Sequence, residues 1–364
     1  MKMMKLGELA SVQTGKIDVN RAVKGGKYPF FTCSREIYKI EDAPFEGKAV
    51  LVAGNGDLNV KYYEGKFNAY QRTYFLFVKD EKVLVPRYLY WFLESYIGEL
   101  RSEAIGSTIK YIKMANLTDA EIPLPSLEKQ REIVGMLDSA FAEIDLLEEN
   151  LGLSNENANQ LQMSLLSASF IPTQENLLGG ISPTNEEPIM KTLFLGEVLT
   201  LEYGKPLDTE FRGASGKYFA YGANGPISRS DKYLIEGPCI VVGRKGSAGE
   251  IRFVEERLWP LDVTYFVKHE RSKSDLRYLY YLLQSLDLKQ FVRGVKPGLN
   301  RNDVYGMPVF LPSLEKQSEI VENLDNAYSE IAALKSQNKN RKSYASALRQ
   351  SLLSSAFTQE EAVA

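Results

Sequence analysis

The sequence of 364 residues contains one histidine and two cysteines, and it lacks long hydrophobic runs. A single histidine, His269, leaves no basis for a histidine-ligated metal cluster or a Ser-His-Asp triad. Cys33 and Cys239 are too few and too far apart for a disulfide framework or a zinc knuckle. No segment approaches the roughly 20 apolar residues that cross a bilayer, and the N-terminus lacks the apolar centre of a signal peptide. The sequence therefore predicts a cytoplasmic protein with no membrane association and no metal site.

Motifs of nucleotide chemistry and nuclease chemistry are also missing. Gly15-Lys16 and Gly216-Lys217 lack the upstream glycine of a phosphate-binding P-loop, and no GxGxxG follows a predicted strand. Glu46-Gly47-Lys48 resembles part of a nuclease site, but the second half has Glu236-Gly237-Pro238 instead. The Asn-Pro-Pro-aromatic sequence of amino-methyltransferases is absent. We therefore predict a protein without catalytic residues of its own.

One seven-residue sequence, LPSLEKQ, occurs twice, at Leu124–Gln130 and at Leu311–Gln317. With a constant shift of 187, residues 124–147 and 311–334 are identical at 16 of 24 positions. The alignment continues without a gap to SLLSASF in one copy and SLLSSAF in the other. Fainter matches lie upstream: LGE, Gly-Lys, EGKAVLVAGNG against EGPCIVVGRKG, and RYLYWFL against RYLYYLL. The chain is thus a tandem duplication, with a variable part followed by a nearly constant part in each half.

The duplication predicts an α+β protein with two pseudo-symmetric α/β domains, separated by two long antiparallel helices that form a coiled coil. In each variable part, AVLVAG or CIVVG is predicted to be a buried strand, and RYLYWFL or RYLYYLL to lie on a helix. The predicted segments are a first variable domain at 1–123, a first helix at 124–170, a Pro- and Gly-containing linker at 171–190, a second variable domain at 191–310, a second helix at 311–357 and a flexible tail at 358–364.

Each constant part is predicted to be one long helix. Pro125 and Pro312 precede the helices, and Ser126 and Ser313 can cap their first amides. Apolar residues then recur on average every 3.5 positions, as in a coiled coil. The predicted seams are Ile133, Leu137, Ala140, Ile144, Leu147, Leu151, Ala158, Leu161, Leu165 and Ala168, and Ile320, Leu324, Ala327, Ile331, Leu334, Ala345, Leu348 and Leu352. We expect the helices to pair within one chain; homodimerisation through the same seam is the alternative.

Positive charge is concentrated in the variable parts. The whole chain has a net charge of −3, but residues 1–123 carry 18 basic and 15 acidic residues, and residues 191–310 carry 18 and 14. The first helix segment, 124–170, carries 2 basic and 8 acidic residues. A DNA-binding surface needs positive charge only where phosphates lie, so this distribution is compatible with DNA binding. A mixed, solvated surface is the alternative.

A glycine-rich turn follows the predicted buried strand in each half. The turn VVGRKGSAG presents Arg244, Lys245 and Ser247, and its glycines let the backbone approach a ligand. Arginine can bind guanine or phosphate with two hydrogen bonds, whereas lysine offers a point charge. The matching turn LVAGNGDL presents Asn55, which suits adenine, and Asp57, which can accept a hydrogen bond from cytosine. Different polar groups on one scaffold predict two halves that recognise different DNA sequences; ordinary polar turns are the alternative.

Further candidate DNA contacts lie in a second pair of loops and on neighbouring segments. The loop GSTIKYIK precedes the first LPSLEKQ, and GVKPGLNRND precedes the second. Their hydroxyl, amide and basic side chains suit phosphates and base edges. The candidates are Ser107, Thr108, Lys110 and Tyr111 in the first loop, Lys296, Asn300 and Arg301 in the second, and Lys61, Lys66 and Arg72 elsewhere in the first half.

The sequence resembles the DNA-specificity subunits of type I restriction–modification systems. The resemblance rests on the two LPSLEKQ-type helix starts, each followed by EIV, LD and EI and closed by a SLL-x-x-x-F sequence. Each helix start follows a variable domain that opens with LGE and Gly-Lys. The resemblance covers nearly the whole chain. LVAGNG replaces the arginine-glycine turn in the first half, so the expected role of Arg244 does not transfer to that turn. Pro-Ser-Leu and Lys-Gln also stand where the family commonly has Pro-Pro-Leu and Glu-Gln.

This resemblance implies a non-catalytic subunit. Each variable domain would be a target-recognition domain that binds one half of a bipartite, asymmetric target in double-stranded DNA. The helices would set the spacer between the half-sites and dock two methyltransferase subunits. S-adenosylmethionine, Mg²⁺ and ATP would be bound by partner subunits, among which motor–nuclease subunits would associate indirectly. The alternatives are a protein–protein adaptor with two homologous binding domains, and a stand-alone nuclease or methyltransferase with a degenerate site.

Overall fold

The computed structural model describes residues 2–170, 193–213 and 215–358, except for the side chains of Thr209 and Thr358. The predicted linker at 171–190 lies outside the described residues, as does the predicted tail apart from residue 358. The chain forms two compact units: the first comprises the chain to Leu153 and from Asn338 onward, and the second comprises Ser154–Gln337. Each unit thus contains one variable domain, the beginning of the helix that follows it and the end of the other half's helix.

The first unit is built on a mixed sheet. Its described strands are β1 (Lys2–Lys5), β2 (Ala10–Thr14), β3 (Tyr28–Phe31), β4 (Ile37–Ile40), β5 (Phe45–Ala53), β6 (Val60–Ala69), β7 (Thr73–Val78) and β8 (Glu121–Leu124). Its helices are α1 (Leu6–Leu9), α2 (Pro86–Glu103), α3 (Met114–Thr118) and the start of α4 (Leu127–Phe170). Within the described residues the sheet order is β2-β7-β5-β6-β3-β4, with β3 and β6 parallel, while β1 pairs with β8. β5 and α2 confirm the predicted strand and helix.

The second unit repeats this plan with shorter strands. They are β9 (Leu193–Phe194), β10 (Leu199–Tyr203), β11 (Tyr218–Gly222), β12 (Gly225–Ser230), β13 (Cys239–Gly243), β14 (Ile251–Val254), β15 (Leu258–Pro260), β16 (Thr264–His269), β17 (Val292–Arg293), β18 (Gly298–Leu299) and β19 (Pro308–Val309). The helices are α5 (Leu195–Val198), α6 (Leu276–Ser285), α7 (Arg301–Tyr305) and the start of α8 (Leu314–Thr358). β13 and α6 confirm the second predicted strand and helix.

The long strand β6 has no continuous counterpart in the second unit. β5 and β6 pair along their length, including Lys48 opposite Glu64. In the second half Pro238 stands where the first half has Lys48. Because proline has no N–H to give to a ladder, β14 ends at Val254 and a separate strand, β15, begins at Leu258. The larger described strands of this unit are therefore divided between two sheets, β10-β16-β13-β14 and β12-β11-β15, and the short strands form the pairs β17-β18 and β19-β9.

The repeated LPSLEKQ is the junction between a variable domain and its helix. Gln130, its last residue in the first copy, is fully buried. Its Oε1 accepts a hydrogen bond from the N–H of Val85 at 2.8 Å, and its Nε2 donates to the carbonyl oxygens of Val83 and Pro125, both at 3.0 Å. Val85 immediately precedes α2, so Gln130 joins the beginnings of two helices.

Gln317 makes the same junction in the second unit, where it too is fully buried. It accepts a hydrogen bond from the N–H of Asp275 at 2.7 Å and donates to the carbonyl oxygens of Lys273 and Pro312 at 3.0 and 2.8 Å. The helices α2 and α6 are also tied to α4 and α8 through ion pairs. Arg87 Nε lies 2.9 Å from Asp138, and Arg277 Nε lies 2.8 Å from Asp325. The repeated residues thus hold each variable domain on its helix.

The two predicted long helices are confirmed as α4 and α8, of 44 and 45 residues. Ser126 Oγ accepts a hydrogen bond from the N–H of Lys129, which is the predicted N-terminal cap. The helices are antiparallel. In the first unit, Arg349 near the end of α8 forms ion pairs with Asp145 and Glu148 of α4, and Leu352 packs with the core that contains Leu137.

Burial along the helices corrects half of the predicted seam. Buried residues recur every seven positions, at Leu137, Ile144, Leu151 and Ala158 and at Leu324, Ile331, Asn338 and Ala345. The other predicted column is exposed at Leu147, Leu161, Leu334 and Leu348, and Ala168 is exposed as well. The second half-buried column begins instead at Phe141 and Tyr328, four residues after a buried leucine. Phe141 packs on the core of the first unit and Tyr328 on the core of the second.

Candidate nucleic-acid interface

In the first unit, the two candidate loops lie side by side. The N–H of Gly56, in the turn after β5, donates to the carbonyl oxygen of Lys110 at 3.0 Å. The N–H of Ile112 returns a hydrogen bond to the carbonyl oxygen of Gly54 at 2.9 Å. Two turns that are far apart in sequence therefore form one surface. We call it the first loop pair, residues 54–58 and 105–112.

The second unit joins its two candidate loops with the same hydrogen bonds. The N–H of Gly246 donates to the carbonyl oxygen of Pro297 at 3.0 Å, and the N–H of Leu299 donates to that of Arg244 at 2.9 Å. We call this surface the second loop pair, residues 244–249 and 294–301. The backbone framework is thus duplicated although the side chains on it differ.

A tyrosine supports each loop pair from the sheet below. The Tyr74 hydroxyl donates to the carbonyl oxygen of Ile112 at 3.1 Å, and the Tyr265 hydroxyl donates to that of Leu299 at 3.0 Å. Burial raises the pKa of both phenols, which keeps them protonated as donors at neutral pH. These tyrosines, at matching places in β7 and β16, fix the loops to the sheet.

Most of the candidates in the first unit are accessible. Ser107, Thr108 and Lys110 are exposed, and Asn55 is half-exposed. Arg72 is also exposed. It lies beside the first loop pair, because its carbonyl oxygen accepts a hydrogen bond from the N–H of Gly54 at 2.8 Å. The fold therefore brings together side chains from three separate stretches of sequence.

Tyr111 and Asp57 also belong to the first loop pair, where the backbone of Tyr111 and the carboxylate of Asp57 have partners within the protein. The backbone of Tyr111 exchanges two hydrogen bonds with Ile105, at 2.9 and 3.0 Å. The Asp57 carboxylate lies 2.8 Å from Arg35 Nε and 3.2 Å from Arg101 Nη2. A contact from Asp57 to cytosine would compete with these two arginines. No sequence motif indicated Arg35 or Arg101, because each comes from a different element.

Lys61 and Lys66 occupy different surroundings from the loop residues. Lys61 is half-buried, and its ammonium donates to the carbonyl oxygen of Ser34 and to the side chain of Asn59. Burial lowers the pKa of Lys61 to about 8. Lys66 lies farther along β6, where it is 3.8 Å from the Glu46 carboxylate. The five residues from Lys61 to Lys66 correspond to about 16 Å of strand, so Lys66 is not part of the first loop pair.

In the second unit, two predicted arginines lie against one aromatic ring. The guanidinium carbons of Arg244 and Arg301 are 4.8 and 4.7 Å from the centre of the Tyr203 ring. Arg244 also donates to the carbonyl oxygen of Asp262 at 2.9 Å, and Arg301 donates to that of Leu201 at 2.7 Å. Both guanidinium groups are held in place and retain further N–H groups for a ligand. Tyr203 was not anticipated, because a tyrosine at the end of a strand carries no distinctive signal.

The other candidates of the second unit are spread around this arginine pair. Lys245 and Lys296 are exposed, and Ser247 is half-exposed. The Asn300 side chain accepts a hydrogen bond from the N–H of Asn302 at 3.1 Å and thereby caps α7. Lys245 and Lys296 are therefore the more accessible of these groups for a phosphate.

The described ranges contain no helix long and apolar enough to span a membrane. Within the same ranges, no three or more His, Cys, Asp or Glu side chains come together in a cluster that could hold a metal ion.

A backbone framework that occurs twice in one chain with different side chains places the protein in the class of duplicated scaffolds. The family model described as "Type I restriction modification DNA specificity domain" matches residues 1–152 and 189–341. The chain belongs to this family.

Curated relatives cover both halves. The type I restriction enzyme EcoDI specificity subunit of Escherichia coli is 28% identical over 399 residues, covering 99% of this chain and 88% of the relative. The StySPI specificity subunit of Salmonella potsdam is 22% identical over 315 residues, covering 78% of this chain and 67% of the relative.

Solved structures share the fold. The HsdS subunit from Thermoanaerobacter tengcongensis matches with a TM-score of 0.59 and 17% identity, covering 98% of this chain and 96% of that one. A chain from a study of complex assembly and conformational transition of the type I restriction–modification system matches with a TM-score of 0.73 and 17% identity, covering 98% and 97%.

Proposed function

We propose that each loop pair binds one half of a bipartite, asymmetric target in double-stranded DNA. The observation that carries this proposal is the duplicated hydrogen-bonded framework with unlike side chains: Asn55 on one loop pair and Lys245 at the matching place on the other. Base edges in the major groove are distinguished by such differences in donors and acceptors. A duplicated structural element would instead favour like side chains on both frameworks.

The charge distribution supports DNA as the ligand. Exposed Lys110 and Arg72 lie at the first loop pair, and exposed Lys245 and Lys296 lie at the second. Such groups neutralise phosphates and release counterions, so binding should weaken steeply as salt rises. The acidic excess of the chain lies in the first helix segment and outside the variable domains.

The long helices supply a candidate docking surface for the methyltransferase subunits. Leu147, Leu161, Leu334 and Leu348 expose 40, 52, 39 and 50% of their surface. They repeat at one position of the seven-residue period, next to the buried column. Ser154 and Arg341 separate the two leucines of each helix, and exposed leucines in such a column are suited to another helix packing beside the pair. We assign this column to two methyltransferase subunits.

The chain then acts in the cytoplasm as the non-catalytic subunit of an assembled enzyme. In that assembly, methyltransferase subunits would bind S-adenosylmethionine and methylate adenine, and motor–nuclease subunits would use Mg²⁺ and ATP. This chain's residues would supply sequence recognition and docking.

Two measurements test this function. Mapping the methylated adenines of a plasmid in cells that carry the whole system should give one bipartite sequence. Purified chain with methyltransferase subunits should bind a duplex with that sequence more tightly than a scrambled duplex, with strong salt dependence. Binding that ignores both sequence and salt would instead favour a protein–protein adaptor, and methyl transfer by the isolated chain would favour a stand-alone enzyme.

Helix length is proposed to set the distance between the half-sites. Removing residues 150–156 and 337–343 deletes one seven-residue period from each helix and keeps the buried column in phase. The helices shorten by about 10 Å, so the accepted spacer should shorten by about three base pairs. Methylation mapping of the deletion variant measures the spacer, and an unchanged spacer would refute the role of helix length.

A further inference from the structure

The first loop pair has a glycine where the second has its central arginine. Gly54 matches Arg244 in its backbone hydrogen bonds. The N–H of each donates to the turn that precedes β7 or β16, and the carbonyl oxygen of each accepts from the other loop of its pair, at Ile112 or Leu299. A side chain cannot be added at Gly54: a Cβ there would lie 2.4 Å from the carbonyl oxygen of Arg72 and 2.9 Å from the Tyr74 ring. An arginine at this position is therefore excluded by the packing of the first unit.

Arg72 lies on the other side of the same backbone hydrogen bond. The N–H of Gly54 donates to the carbonyl oxygen of Arg72 at 2.8 Å, and the N–H of Arg244 donates to that of Val263 at 2.9 Å. The first unit thus carries its arginine on the accepting residue, and the second unit carries it on the donating residue.

The electrostatic surroundings of the two arginines also correspond. Burial raises the pKa of Tyr74 and Tyr265, and in each case the charge of the local arginine opposes the rise. Arg72 therefore lies close enough to affect the tyrosine that matches the one beside Arg244. Arg72 is exposed, and among the described residues its side chain forms neither a hydrogen bond nor an ion pair.

We propose that Arg72 and Arg244 make equivalent DNA contacts in the two units, from opposite sides of one conserved backbone hydrogen bond. The inference rests on the proposed function, since it assigns the ligand of both arginines. It explains how the first unit retains an arginine contact although its turn has glycine in place of arginine.

The two contacts should differ in rigidity. Arg244 lies against Tyr203 and donates to Asp262. The first half has Thr14 at the place of Tyr203, so Arg72 has no matching ring. A lysine at 72 should therefore retain more binding than a lysine at 244, because only Arg244 would lose a positioned planar group.

The test uses the chain assembled with methyltransferase subunits and a duplex that carries the mapped target. Arg72→Ala and Arg244→Ala should each reduce affinity at least about fivefold, the lower end for one arginine contact to a base. The matched controls, Lys82→Ala in the first unit and Arg271→Ala in the second, remove exposed charges away from the loop pairs and should change affinity less than twofold. Thermal unfolding checks that all four variants are folded.

A relocation variant tests equivalence directly. Arg244→Gly combined with Val263→Arg gives the second unit the arrangement of the first, and it should bind at least about threefold more tightly than Arg244→Gly alone. Substituted duplexes and the salt slope identify the contact. Loss of discrimination at one base pair indicates a base, and a slope reduced by about 0.9 indicates a phosphate.

The outcomes separate this inference from the proposed function. If the unaltered assembly shows no preference for the mapped duplex, the proposed function fails. If it binds and Arg244→Ala weakens binding while Arg72→Ala does not, the function stands and the equivalence of the arginines is overturned. Damage to the same half-site by both variants would overturn the equivalence as well.

Discussion

The smallest structural determinants of this fold are two buried amides. Gln130 and Gln317 each satisfy one N–H and two carbonyl groups at the point where a variable domain meets its helix. An amide side chain supplies both an acceptor and donors, which neither a hydrocarbon nor a carboxylate of similar size can do. The repeated LPSLEKQ is therefore explained by a junction that must be made twice.

Replacing Gln130 with leucine should destabilise the first unit by about 3 kcal/mol. The change keeps a similar volume but leaves the N–H of Val85 and two carbonyl oxygens without their partner in a buried place. Denaturant unfolding, followed through the first unit's transition, measures the effect. Gln350→Leu, an exposed position on α8, is the control and should change stability by less than about 0.5 kcal/mol. Equal effects of the two changes would contradict the junction role.

His269 predicts a pH dependence of the second unit. Burial lowers the pKa of its imidazole below the ordinary value of about 6.5, so folding favours the neutral form. The unfolded chain then binds the proton more readily. The contribution to stability is complete above about pH 6.5 and is lost as the pH falls through 6.5 toward the folded pKa.

Two measurements check the histidine. NMR titration of the single imidazole should give a pKa below 6.5. Between pH 7 and pH 5.5, His269→Gln should lose less unfolding free energy than the unaltered chain. Identical losses would show that His269 does not titrate differently in the folded and unfolded states.

At the scale of elements, the sequence predicted the long helices, the buried strands and the aromatic helices. Apolar spacing, proline and serine at helix starts, and β-branched runs are local signals, and they sufficed there. The seam was half wrong, because a period of 3.5 identifies the apolar columns but does not say which of them the partner helix covers. In the structure, Phe141 and Tyr328 pack on the two cores, and the column of Leu147 and Leu334 is exposed.

The exposed column leads to a prediction about assembly. Leu147→Gln and Leu348→Gln should each lower the stability of the free chain by no more than about 1 kcal/mol, since 40 and 50% of their surface is already exposed. The double variant should bind methyltransferase subunits about tenfold more weakly. Calorimetric titration measures binding, and Ile144→Ala is the contrasting variant: it should cost about 2–4 kcal/mol of stability because Ile144 is buried. Unchanged binding by the double variant would assign the column to something else.

At the scale of the whole molecule, the duplication and the segments that carry the candidate loops were visible in the sequence. Their joining was not, because Gly56 and Lys110 are 54 positions apart and meet through backbone groups, which sequence does not display. The engagement of Asp57 by Arg35 and Arg101 was hidden for the same reason. Side-chain chemistry identified candidates, and only tertiary structure showed which candidates are engaged within the protein.

Each unit's core is completed by the end of the other half's helix. Phe357 packs on Tyr88 and Phe92 in the first unit, with ring centres 5.3 and 5.8 Å apart, and Phe170 packs on Tyr278 in the second at 5.3 Å. Phe357→Ala should therefore destabilise the first unit by about 2 kcal/mol, and Phe170→Ala should act on the second. Hydrogen exchange resolved by segment should show faster exchange in α2 for the first variant and in α6 for the second. The reverse pattern would contradict this assignment.

This exchange of helix ends has a consequence for synthesis on the ribosome. The first variable domain is translated before the second, yet its core includes Leu352 and Phe357, which emerge after the second unit. The second unit has all its residues once Gln337 has been made. The first unit is thus completed after the second, and a product terminated soon after Gln337 would contain a finished second unit and an unfinished first one.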